Sequence, residues 1–61
     1  MNYSRKLELL QVPVTINGKP AKIMGSERLF PTVASLDGKY AADWTWLAVE
    51  RIVAAGGRFV L

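Results

Sequence analysis

The sequence predicts a small α+β domain: a mainly antiparallel sheet with one helix, about residues 43–55, packed on it. Three observations carry the prediction. Asn17-Gly18 stands between two alternating segments, the pattern of a two-residue type I′ hairpin. Asp37-Gly38 marks a second hairpin turn. After Asp43 an almost wholly apolar run stops at Gly56-Gly57 and gives way to a short strand, Arg58-Phe59-Val60-Leu61.

At 61 residues the chain reads as a single domain, 1–61. A domain of that size buries only about 60% of its unfolded surface and is marginal alone. Disulfides, a metal or oligomerisation are the usual supports. With no cysteine and no histidine, disulfides and the common zinc sites are excluded. The five carboxylates are too scattered for a hard-metal cage, so neither metal nor cofactor is expected. Oligomerisation is the support left.

The net charge of +3 is compatible with anionic partners without demanding them. No apolar run approaches the ~18 residues of a membrane span. The first residues, Met1 to Lys6, lead into Glu8 and a short apolar patch rather than a signal-peptide core. On these grounds we expect a cytoplasmic protein with no membrane partner.

The elements follow in order. Tyr3, Leu7 and Leu10 fit helical spacing, but Leu7 to Ile16 fits one long strand equally well, so residues 3–10 stay open. The Asn17-Gly18 turn fixes a register in which Ile16 faces Lys19, Thr15 faces Pro20, Val14 faces Ala21, Pro13 faces Lys22 and Val12 faces Ile23. Alternation then puts Leu10, Val12, Val14, Ile16, Ala21 and Ile23 on one face, and Gln11, Pro13, Thr15, Pro20, Lys22 and Met24 on the other. The two strands agree on which face is apolar, which supports the register. Pro13 and Pro20 fall at non-hydrogen-bonded pairs, so a third strand should avoid pairing directly at either.

Gly25-Ser26-Glu27 reads as a loop. Leu29 to Leu36 reads as a strand, returned by Lys39-Tyr40-Ala41; the rival is a short helix opening at Pro31 and closing at Gly38. In the terminal helix Asp43 suits the N-cap, Arg51 the positively favoured end and Gly56 the left-handed stop. The strand after it suggests a crossover with parallel pairing.

At about 100° per residue, Trp46, Val49, Ile52 and Val53 share the face meant for the sheet. Trp44, Ala48 and Ala55 form a second apolar line, flanked by Leu47 and Arg51. A helix apolar all round is usually covered on both sides, and a Trp beside Leu and Arg is the composition of an interface centre. We therefore expect a non-enzymatic interaction module that homodimerises or docks on another protein through Trp44, Leu47, Ala48 and Arg51. The alternative is a weak nucleic-acid binder using the Lys19/Lys22 hairpin with Lys39, although no run of basic residues exceeds two. Catalytic residues are not expected: no Ser-His or Cys-His pair exists, and Gly56-Gly57 lacks phosphate-loop spacing.

Overall fold

A computed structural model of the chain describes all residues, 1–61. Its order is α1 (Tyr3–Leu10), β1 (Val14–Ile16), β2 (Lys19–Met24), β3 (Thr32–Ser35), β4 (Ala41–Asp43), α2 (Trp46–Ala54) and β5 (Arg58–Phe59). The strands form one five-stranded sheet in the order β4-β3-β2-β1-β5, antiparallel throughout except for β1 and β5. The α+β class is as read from the sequence. The helix count is not: there are two helices, because residues 3–10 form a helix whose first turn is capped by Asn2, its Oδ1 accepting the Arg5 N–H at 2.8 Å.

The first hairpin has the expected register: Val14 opposite Ala21, Thr15 opposite Pro20, Ile16 opposite Lys19. Asn17 (φ 50) and Gly18 (φ 81) both take the positive φ of a type I′ turn. Pairing stops at Val14, so the expected Pro13/Lys22 and Val12/Ile23 pairs do not form. The Val12 N–H is instead used to close α1, donating to the Leu9 carbonyl at 3.2 Å. Both prolines are avoided as predicted. β5 pairs with β1 at Thr15 and Ile16, and β3 meets β2 from Ala21 onward, where only the Pro20 carbonyl is called on, by the Leu36 N–H.

The second hairpin also exists, with β3 as a strand rather than the rival helix, but its return begins at Ala41 instead of Lys39. Asp37 widens the turn. Its Oδ1 accepts from the Ser35 hydroxyl at 2.7 Å and from the Lys39 N–H at 3.0 Å, and its Oδ2 from Lys19 Nζ at 2.9 Å. Side-chain bonds of this kind build a loop in place of a backbone ladder.

The terminal helix is capped two residues later than expected. Asp43 is the last residue of β4, and its carboxylate accepts the Thr32 hydroxyl at 2.6 Å. Thr45 is the N-cap, its Oγ1 accepting the Ala48 N–H at 3.1 Å. The shift follows from the sheet: the Trp44 N–H is committed to the Pro31 carbonyl at 2.9 Å, so the chain remains extended through Trp44.

Both helices lie on one face of the sheet. Leu9 of α1 and Trp46 and Val49 of α2 close a core over Val14, Ile16, Ala21, Ile23, Val33 and Phe59. The helices are joined by Arg5, whose guanidinium donates to both Glu50 carboxylate oxygens, and by Lys6, whose ammonium sits 5.1 Å from the Trp46 ring centre. α2 links β4 at one sheet edge to β5 at the other. Four strand spacings of about 4.8 Å would hold those edges ~19 Å apart in a flat sheet. Yet the ring of Trp44, at the foot of β4, lies 5.1 Å edge-on from that of Phe59 in β5. The sheet therefore curls around its core.

Gly57 makes the last crossing tight. It has φ +75, and a Cβ there would lie 3.1 Å from Val14 Cγ1, so the return to β1 needs a residue without a side chain.

Candidate functional site

The four residues expected to form a protein-binding face do not stay together. Trp44 is the exception that matters. It precedes the N-cap rather than standing on the helix, and it is half-buried against Phe59 and the core. Its indole N–H is buried and donates to no acceptor. Ala48 is half-buried. Leu47 and Arg51 alone remain exposed, one turn apart on the outer side of α2. α1 reaches α2 at Glu50 and Trp46, neither of which belongs to that second apolar line.

Other exposed apolar side chains are spread over the molecule, with Tyr3 and Leu7 on α1, Leu36 in the second hairpin and Val60 and Leu61 after β5; the β2–β3 loop carries two adjacent ones. Leu29 is 78% exposed and Phe30 50%, in the loop between β2 and β3, and Leu47 is 59% exposed. The loop is tied at Arg28 to the start of the helix that carries Leu47. Trp46, the residue before Leu47, donates its indole N–H to the Arg28 carbonyl at 2.9 Å. The Arg28 N–H in turn donates to the Gly25 carbonyl at 2.9 Å, and Pro31 is buried with its carbonyl held by Trp44. Leu29 and Phe30 are thus presented between two anchored backbone points. In the sequence Leu29 reads as the start of the following strand, whereas β3 begins only at Thr32. The signal available was Pro31 directly after Phe30, since a proline restrains the residue before it and ends regular pairing there.

The three lysines proposed for nucleic acid also separate. Lys19 and Lys39 lie at the hairpin-tip end, but Lys19 is held by Asp37. Lys22 points from β2 to the uncovered face of the sheet. That face carries Thr15, Pro20, Lys22, Met24, Thr32, Ala34, Ala41, Asp43 and Arg58 and no aromatic side chain, so it offers no stacking platform.

The electrostatics are mostly structural. The Lys39 N–H, then Lys19 and Ser35, hold the Asp37 carboxyl down to about 2. The same contact raises Lys19. Glu50 is lowered by its bonds from Arg5. The Ser35 hydroxyl, the one buried polar side chain, donates to Asp37 and accepts the Tyr40 N–H at 3.0 Å. No serine hydroxyl bonds to a lysine amine, and no three carboxylates gather in one place. No helix is long and apolar enough to cross a membrane.

No family model, no curated protein and no solved structure matches this chain.

Two clefts remain. One, of about 440 Å³, lies between the end of α1 (Leu10, Gln11) and the segment Lys22–Arg28. The other, of about 570 Å³, lies on the uncovered face between the first hairpin and Gly56-Gly57-Arg58.

Proposed function

We propose that this protein is a small, non-enzymatic, cytoplasmic interaction module that self-associates through the end bearing Leu29, Phe30 and Leu47. The observation that supports this reading is the presentation of Leu29 and Phe30, apolar and exposed, on a loop fixed at Arg28 and at Pro31. An ordered apolar anchor loses little conformational entropy on binding, which favours its use as an interface centre. Burying each such side chain contributes roughly 1.5–3 kcal/mol, useful to a domain whose single core is small. Arg51, exposed a turn beyond Leu47 and without an ion-pair partner, supplies a polar rim.

Sedimentation from about micromolar to millimolar chain spans the range in which modest interfaces dissociate. The reading expects a monomer–dimer equilibrium that the double substitution Leu29→Ser/Phe30→Ser shifts to monomer. A wild-type monomer across the whole range would overturn it.

The nucleic-acid reading has less support. Lys22 and Arg58 share an uncovered face free of ion pairs, but Lys19 is occupied and Lys39 lies apart. Retention on random duplex at ~50 mM salt, where phosphate contacts are strongest, would be needed to revive it.

A further inference from the structure

The Gly56-Gly57 pair has a use beyond stopping α2. A Cβ on Gly56 would lie 3.1, 3.3 and 3.3 Å from Nη1, Cζ and Nη2 of Arg58, so the guanidinium lies against the glycine and occupies the space a side chain would fill. Arg58 makes no ion pair and no side-chain hydrogen bond. Its register partner on β1 is Thr15, whose hydroxyl is likewise unbonded. Both side chains face the uncovered side of the sheet, because their neighbours Ile16 and Phe59 are buried on the other. The cleft they share, about 570 Å³, is walled by Pro13 and Pro20. Proline rings are rigid and bring no backbone N–H, so the polar donors in the cleft converge from one side.

The chain's own carboxylates are engaged elsewhere: Glu8 and Glu50 with Arg5, Asp37 with Lys19, Asp43 with Thr32. Glu27 lies on the β2–β3 loop. An exposed, unpaired guanidinium lying over Gly56 beside a hydroxyl and apolar walls fits a planar or tetrahedral oxyanion attached to a small apolar body.

We propose that the cleft between Gly56-Gly57-Arg58 and the first hairpin is a binding site for a small organic oxyanion, a carboxylate or phosphate monoester. Arg58 would clamp it in bidentate fashion, Thr15 would donate a further bond, and Pro13 and Pro20 would hold its apolar part. The site is independent of the self-association surface, which lies around Leu29, Phe30 and Leu47.

The test is an amide chemical-shift titration of the full chain with phenyl phosphate and benzoate at constant ionic strength, with chloride as control and a short random duplex as a separate arm. The expected result is a saturable shift at Thr15, Gly57 and Arg58 with one or both organic anions. Arg58→Gln should weaken it about tenfold, as loss of a charge-assisted hydrogen bond does. Arg58→Lys should restore only part of it, because an ammonium cannot form the fork. Shifts no larger than those with chloride would overturn the proposal. So would shifts with duplex alone, which would mark an extended phosphate-backbone contact instead, or organic-anion binding unchanged in Arg58→Gln.

Discussion

The two faces of this sheet meet different demands. The inner face carries Val14, Ile16, Ala21, Ile23, Val33 and Phe59, sealed by Leu9, Trp46 and Val49. The outer face carries Thr15, Pro20, Lys22, Met24, Thr32, Ala34, Ala41, Asp43 and Arg58 and has no helix over it. With so few residues, one layer of helices is all the chain can build, and the face left in water is furnished mostly with small, charged or rigid side chains, Met24 being its one long apolar side chain. Most large apolar side chains that reach solvent stand on the helices, in loops or near the chain ends: Tyr3, Leu7 and Leu47, then Leu29, Phe30 and Leu36, then Met1, Val60 and Leu61. The open face is thereby kept from acting as a sticky plane.

The largest effect should separate the faces directly. Phe59→Ala empties a position that is 1% exposed and is expected to cost about 3–5 kcal/mol, enough to unfold much of a domain this small in urea. Ala41→Ser on the open face should stay within about 0.5 kcal/mol in the same experiment.

A smaller effect tests the joint between the faces. Gly57→Ala combines a positive φ with a 3.1 Å approach to Val14 Cγ1, and should cost about 1–3 kcal/mol. Gly18→Ala, with positive φ but open space around it, should cost less. Thermal unfolding of the two variants orders them.

The two tryptophans give a finer contrast within the covered side. Trp46 has its indole N–H satisfied by the Arg28 carbonyl, whereas that of Trp44 is buried without a partner. Trp46→Phe should therefore be worse than Trp44→Phe by about 1 kcal/mol, the net value of one hydrogen bond. Equal losses would show that packing alone sets both.

The smallest effect is electrostatic and lies outside the core. Asp37 falls from the ordinary 3.8 to about 2 on folding. A depressed carboxyl stabilises the folded state above its unfolded value and loses that contribution as pH falls through the folded one. Stability should thus be level at neutral pH and decline from about pH 4 towards pH 2, with Glu50, also lowered, acting in the same direction. Asp37→Asn should flatten part of that slope in acid unfolding curves.

Local rules were sufficient where they acted alone. Asn17-Gly18 set the register, the alternation around it named the buried face, and Pro13 and Pro20 limited where neighbouring strands pair. They fell short where a distant partner decided. Asp43 has the chemistry of a cap, but Pro31 and Thr32 draw residues 43 and 44 into an extended path, and Thr45 takes the role. That two-residue slip moved Trp44 from the expected helix surface to the core. The fate of residues 3–10 was equally non-local, because Arg5 finds Glu50 only in the folded chain. The candidate interface was legible as an excess of apolar residues, while its position, around Leu29 and Phe30, depended on the Trp46 bond to Arg28.

Under the proposed function, self-association uses the rim at Leu29, Phe30 and Leu47 and leaves the sheet's open face free. Amide resonances followed during serial dilution test this most directly. Concentration-dependent shifts centred on Leu29, Phe30 and Leu47 are expected, with Thr15, Ala34 and Ala41 unmoved. Shifts centred on the open face, or none across the dilution range, would contradict it.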